Sequence, residues 1–244
     1  FGVRALPTYN FDKADVIVCF GADFLGNWGS SDYATDYATG RNPKNKKMSK
    51  HYQIESTLTL TGSNADERIP IKPSEQAGLL SNLYNALNGK TSDNRITKIV
   101  SSLKSSKSSI VLCNSNDKDV QLLVNAINNF LGNYKSTIDM SNPSYLKKGN
   151  DEDVATLVSD MNAGNIDALI TYNVNPSYTL ANADEFNTGL KNVELKISTS
   201  LYMDETATKM DYVCPDNHNL ESWGDANPSN GIYTLMQPTI NPLF

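Results

Sequence analysis

The sequence predicts an α/β protein built as two Rossmann-like parallel-sheet lobes with an irregular C-terminal tail. Three observations lead there. Apolar, β-branched runs alternate with stretches of helical periodicity, which is the pattern of βαβ units with right-handed crossovers. Two strand-then-loop units echo each other at long range, Ala14-Asp15-Val16-Ile17-Val18-Cys19-Phe20-Gly21-Ala22-Asp23 and Asp167-Ala168-Leu169-Ile170-Thr171-Tyr172-Asn173-Val174-Asn175-Pro176. The length, 244 residues, suits one large or two modest domains.

In chain order, Val16–Phe20 is a β-branched strand, and residues 31–38 form a short helix stopped by Gly40 and the basic loop 41–50. Residues 52–60 have strand character through Ile54, Thr57 and Thr59. Ile69-Pro70-Ile71 is a short extended piece. Pro73-Ser74 opens a helix with Glu75 in its first turn, where the helix dipole favours a carboxylate. Leu79, Leu80, Leu83, Tyr84 and Leu87 fall on one face of it. Ser92 is placed to cap a further helix carrying Ile96, Ile99, Val100 and Leu103.

The serine- and lysine-rich stretch 101–109 marks the expected division: a first lobe over 1–104, a second over 105–215, a tail over 216–244. In the second lobe Ser109–Cys113 is a strand. Asp119 is placed to cap a helix carrying Val120, Leu123, Ile127 and Phe130, closed by Gly132. Residues 151–161 form another, with Gly164 as its stop. Ala168–Thr171 is a strand, 183–190 a helix, 193–198 a strand and 212–214 a last short strand. From Asp216 onward Asn, Pro and Ser dominate and the regularity ends, so the tail is expected to pack on the lobes or on a neighbouring domain or subunit.

Composition removes several function classes. A net charge of −6 argues against nucleic acid, because phosphate binding needs a basic face. The basic runs at 44–50 and Lys147-Lys148 read as solvated loops. No apolar run approaches the ~18 residues of a membrane span. Neither Phe1-Gly2-Val3 nor Pro242-Leu243-Phe244 resembles a natural terminus, so the chain reads as an internal piece of a longer protein. Cys19, Cys113 and Cys214 are too far apart to bind an iron–sulfur cluster, and Cys19 and Cys113 read as small hydrophobes on strands.

In an open parallel sheet, ligands bind at the carboxyl ends of the strands. The loop residues there are Gly21, Ala22 and Asp23 in the first lobe and Asn173, Asn175 and Pro176 in the second. Neither is a G-x-G-x-x-G fingerprint. Asp23 reads equally as a turn-capping residue or as a pocket wall; Asn173-Val174-Asn175-Pro176 reads more simply as a turn before a helix. No catalytic set emerges. His51 has no evident nucleophile partner and no G-x-S-x-G elbow exists. Cys214, Asp216, His218 and Glu221 match no zinc spacing and read as a surface loop, so no metal site is expected. Glu205-Thr206-Ala207 reads as a turn or helix start over the sheet.

Four ordered segments resemble the molybdopterin oxidoreductase superfamily of the dimethyl sulfoxide reductase type. They are Ala14-Asp15-Val16-Ile17-Val18 with Gly21-Ala22-Asp23-Phe24; the stretch from Ala65 to Gln76; Gly164-Asn165-Ile166-Asp167-Ala168-Leu169 through Asn175-Pro176; and Met203-Asp204-Glu205-Thr206-Ala207 with Met210 to Pro215, then Glu221 and Gly224. Four narrower strings look like one branch of it, the molybdopterin-like region of the B subunit of bacterial alternative complex III. They are residues 20–26, Leu60 to Asp66, Leu220 to Asp225, and Gln237-Pro238-Thr239-Ile240.

That resemblance implies a scaffold without its own cofactor, inside a respiratory quinol:cytochrome c (or equivalent carrier) oxidoreductase. Gly21, Ala22, Asp23, Asn173, Asn175 and Pro176 would then line vestigial pockets. It implies iron–sulfur clusters elsewhere in the full-length subunit, multihaem cytochrome c and membrane quinol-binding subunits as partners, and a place on the periplasmic side of the inner membrane. Asp23 and Phe24 stand where the superfamily carries Asn and Pro, and Asn173 where it carries Gly, which opposes a diphosphate at either loop. The alternative is a fragment of an active molybdenum or tungsten bis-pterin enzyme, with molybdopterin guanine dinucleotide at both loops. A weaker third reading is a free-standing nucleotide-binding module.

Overall fold

In the computed structural model the described residues are 6–90, 93–147 and 149–243, without the side chain of Lys135. A short strand, β1 (Leu6–Tyr9), precedes β2 (Val16–Phe20), whose five residues are all buried. Next come α1 (Asp32–Gly40), β3 (Lys50–Glu55), the single turn α2 (Leu60–Ser63), β4 (Glu67–Pro70) and α3 (Gln76–Leu87). The stretch closes with α4 (Thr97–Ser105), β5 (Ser109–Cys113), α5 (Lys118–Phe130) and β6 (Ile138–Ser144). Ser92, the expected cap before α4, lies outside the described residues; Asp93 instead caps a 3-10 turn over Asn94–Ile96.

Strands β4, β3, β2 and β5 pair in that order, all parallel. Alternate residues serve opposite faces, as the period of two requires. Val16, Val18, Phe20, Tyr52, Ile54 and Val111 meet Leu79, Leu80, Leu83, Ile99, Leu103 and Ile127 from the helices on one side. Ile17, Cys19, Ile110 and Leu112 meet Phe11, Phe24, Tyr33 and Tyr37 on the other. Each fully buried leucine or phenylalanine here contributes roughly 1.5–3 kcal/mol.

Tertiary contacts divide the chain into Phe1–Lys147 and Lys148–Phe244. The expected division at 104/105 therefore falls inside the first unit. The serine-rich stretch is not a linker: Ser108 O accepts from the backbone N–H of Asp15 and Val16, which seats β5 beside β2. Three local differences have local causes. The strand expected over 52–60 stops at Glu55, because Thr59 caps α2 by accepting from Gly62 N. The cap of α5 is Asp117, which accepts from Asp119 N and Val120 N, rather than Asp119. Strands β1 and β6, unforeseen, pair antiparallel.

The second unit contains α6 (Asp151–Ala163), β7 (Ala168–Thr171), α7 (Pro176–Thr179), α8 (Ala183–Leu190), β8 (Leu195–Ser198) and β9 (Tyr212–Val213). Strands β7, β8 and β9 are parallel in that order. Helices α6 and α8 share a core of Val158, Met161, Phe186 and Leu190. A Cβ at Gly189 would lie 2.9 Å from that of Met161, so glycine permits this close approach. The tail is not wholly irregular. Strands β10 (Gly224–Ser229) and β11 (Ile232–Met236) form an antiparallel hairpin turned by Asn230-Gly231, with Gly231 at φ 76°.

Candidate functional site

In the first sheet the chain leaves β2 for β3 and β4 on one side and returns to place β5 on the other. The topological switch point, where open α/β sheets bind ligands, is thus the mouth between the loops after β2 and β5. Gly21 stands there at φ 72°, and a Cβ on it would lie 2.7 Å from Asn114 Oδ1. The amide of Asn114 therefore fills the space that glycine leaves. Gln76 Nε2, from α3, lies 2.9 Å from Asn114 Oδ1, 3.0 Å from Cys113 Sγ and 3.2 Å from Phe20 O.

Asp23 turns inward. Its Oδ1 accepts from Thr61 N at 2.9 Å and Thr61 Oγ1 at 2.7 Å, and Thr61 Oγ1 accepts in turn from Leu25 N at 2.9 Å. The N–H of Gly21 donates to Ile54 O, and those of Gly26 and Trp28 to Asp23 O. Ala22 is fully buried, its carbonyl 3.0 Å from the Cys19 thiol. Phe24 stacks on Phe11 with centroids 4.3 Å apart, which pins the loop to the core. The Asp23 carboxylate thus ties the loop after β2 to α2, while its backbone carbonyl closes the turn.

Next to this mouth runs a buried polar row that inspection of the sequence missed. His51, Gln53 and Glu55 alternate along β3 on the face shared with Tyr37. His51 Nδ1 lies 3.0 Å from Tyr37 Oη and Nε2 3.2 Å from Gln53 Oε1; Gln53 Nε2 donates to Glu55 Oε2 at 3.1 Å. Glu55 Oε1 takes Arg68 Nε at 2.6 Å, and Thr59 supplies two more donors. His51 is thus not solitary. Burial lowers its pKa to about 4, so it is neutral at pH 7. For Glu55 burial is the largest influence and raises the pKa, but the bonds from Arg68, Thr59 and Gln53 together hold it below the ordinary carboxylate range. The signal was the polar period of two in His51-Gln53-Glu55, unusual for a strand buried on both faces.

In the second unit Asn173 is the non-glycine residue with positive φ (51°) among the described residues. Asn175 ties its loop to the next: Nδ2 donates to Glu205 Oε2 at 2.7 Å, while Oδ1 accepts from Thr206 Oγ1 at 2.7 Å and from Thr206 N at 3.2 Å. Pro176 opens α7. Asp204 Oδ1 caps the turn at Thr206 and Ala207, so Glu205-Thr206-Ala207 is a turn locked to the sheet end. Beyond these loops, at the carboxyl ends of β7, β8 and β9, lies an open cleft of about 530 Å³. Asn173 lines it together with Tyr172, Tyr202, Asp216, His218 and Trp223.

The implied cofactor can be tested against these groups. A pterin dinucleotide brings a diphosphate that needs free N–H donors and space beside glycine. At the first mouth the Asp23 carboxylate already engages the Thr61 donors, and the Asn114 amide occupies the space above Gly21. At the second, the cleft is lined by Asp216 and, among the described residues, by no lysine or arginine. The residues do not fit the group. Among the described residues no cluster of His, Cys, Asp and Glu is placed to hold a metal, and no helix is long and apolar enough to cross a membrane.

No family model matches the chain. Over 81 residues, 32% of this chain, it is 33% identical to the menaquinone reductase, molybdopterin-binding-like subunit of Nitratidesulfovibrio vulgaris. That stretch spans only 12% of the relative's length. The fold superposes on acetylene hydratase from Pelobacter acetylenicus with a TM-score of 0.71 and 13% identity, covering 98% of this chain and 46% of that one. It also superposes on the formyltransferase/hydrolase complex of Methylorubrum extorquens, solved with methylofuran, with a TM-score of 0.60 and 11% identity, covering 98% of this chain and 74% of that one. The chain has the α/β fold of these proteins, and the sequence match supports a relationship to molybdopterin-type proteins.

Proposed function

We propose that this chain is a cofactor-free, molybdopterin-oxidoreductase-like scaffold region of a respiratory quinone-linked oxidoreductase, of the alternative complex III kind. It holds partner subunits and the cluster-bearing parts of its own subunit in position and supplies no bond-making residue. The observation that carries this reading is Asp23, whose carboxylate takes the Thr61 donors at 2.7 and 2.9 Å. A phosphate brought to within ~4 Å of that carboxylate meets roughly 4 kcal/mol of repulsion per unit charge at an effective dielectric of 20. The match to a subunit named for menaquinone reductase supports the quinone link. The four narrower strings, at residues 20–26, 60–66, 220–225 and 237–240, support the branch. Partners and a periplasmic position belong to the same proposal.

Metal and pterin analysis of the complete protein, purified with its partner subunits, tests it. The scaffold reading expects iron, with neither molybdenum, tungsten nor an extractable pterin dinucleotide in stoichiometric amount. Stoichiometric metal and pterin would establish the active bis-pterin alternative.

A further inference from the structure

The two units carry opposite charge. Phe1–Lys147 contains 17 basic and 13 acidic residues, a net +4, whereas Lys148–Phe244 contains 4 basic and 14 acidic residues, a net −10. Within the acidic unit, three large aromatic side chains stay exposed around one cleft: Tyr172 at 67%, Tyr202 at 78% and Trp223 at 66%. Asp216 lines the same cleft, and among the described residues no lysine or arginine does. Two lysines of this unit are engaged elsewhere: Lys196 pairs with Asp211 at 3.0 Å, and Lys209 donates to Glu205 O at 2.9 Å. His218 Nδ1 accepts from Leu220 N at 3.2 Å.

We infer that this cleft is a docking site for an arginine-bearing segment of a basic partner polypeptide. The inference rests on the scaffold reading and names the chemistry of one partner. Aromatic faces attract a cation through the ring quadrupole, and a planar guanidinium also stacks on them. The acidic field of the unit steers a basic segment toward the cleft and repels a phosphate ligand. Trp, Tyr and Arg are also the side chains that most often anchor protein interfaces.

The test uses the complete protein and a fluorescent peptide of alternating arginine and glycine, with a control carrying neutral citrulline at each arginine. Fluorescence anisotropy is expected to show saturable binding of the arginine peptide that weakens as salt rises from about 50 to about 200 mM. The citrulline peptide and the variants Trp223→Ala and Asp216→Asn are expected to bind about tenfold more weakly. Glu152→Gln on the exposed start of α6 is expected to bind as the parent does. Both cleft residues are solvent-exposed, and circular dichroism confirms that each variant is folded. No binding at low salt, or equal losses for the α6 and cleft variants, overturns the site. Either result leaves the scaffold reading standing, because that falls only on metal and pterin.

Discussion

His51 shows how one residue acquires its character from its neighbours. It sits on β3 beneath Phe24, with centroids 5.4 Å apart, between Tyr37 and Gln53. Arg41, Asp66 and Glu55 are the charged groups that act on it, but burial dominates and favours the neutral ring. The folded pKa, about 4, is below the ordinary 6.5, so the unfolded chain binds the proton first as pH falls. Stability is accordingly expected to drop between pH 6.5 and 4 by on the order of 3 kcal/mol from this group alone. Urea melts of the parent and of His51→Gln check this: the variant's stability should depend less steeply on pH across that window. Glu55 and Asp66, both held low, add their own losses only at more acid pH, as each is protonated.

Glu55 supports a second expectation. Its side chain is 2% exposed and its strongest partner is Arg68. Removing one member of a buried pair strands the other, at a cost of about 3 kcal/mol. Arg68→Ala should therefore lower the urea midpoint sharply, and adding Glu55→Gln should recover part of the loss. Neither member of this pair was legible as such in the sequence, because they come from different strands. Asp23 was legible as a loop residue at the strand end, but not its partner Thr61, which lies 38 positions away.

Among the elements, those whose sequence carries a complete local signal were readable. Strands β2 and β5 are unbroken apolar runs, and α3 and α6 have clear faces with terminal signals at Glu75 and Gly164. Strand β6 was not, since its segment Ile138-Asp139-Met140-Ser141-Asn142-Pro143-Ser144 has the composition of a loop and gains strand geometry only by pairing with β1. The β10–β11 hairpin was readable and missed: Asn230-Gly231 is the dipeptide a two-residue hairpin turn favours. The single turn α2 owes its existence to Thr59, whose hydroxyl accepts from Gly62 N and donates to Glu55. Thr59→Ala removes both bonds and is expected to cost about 1–2 kcal/mol in chemical denaturation. Thr59→Ser should keep most of the stability, since the hydroxyl remains.

For the molecule as a whole, strand order was the least legible property. The place of β5 beside β2 depends on pairing across some ninety residues, which no local window contains. The serine-rich stretch before it suggested a boundary, and the actual division falls at 147/148. Strand order also fixes the switch point, and hence which loops face each other there. Once Gly21 and Asn114 are opposed, the Asn114 amide fills the space over Gly21, held there by Gln76. The second unit has an open cleft lined by Asp216 and exposed aromatic side chains and, among the described residues, by no lysine or arginine. On the proposed reading, neither sheet end suits an anionic dinucleotide.

The most direct trial of that claim is elemental and fluorescence analysis of the intact protein for molybdenum, tungsten and oxidised pterin. Background levels of all three are predicted. One metal atom and a pterin dinucleotide recovered per polypeptide would contradict the account.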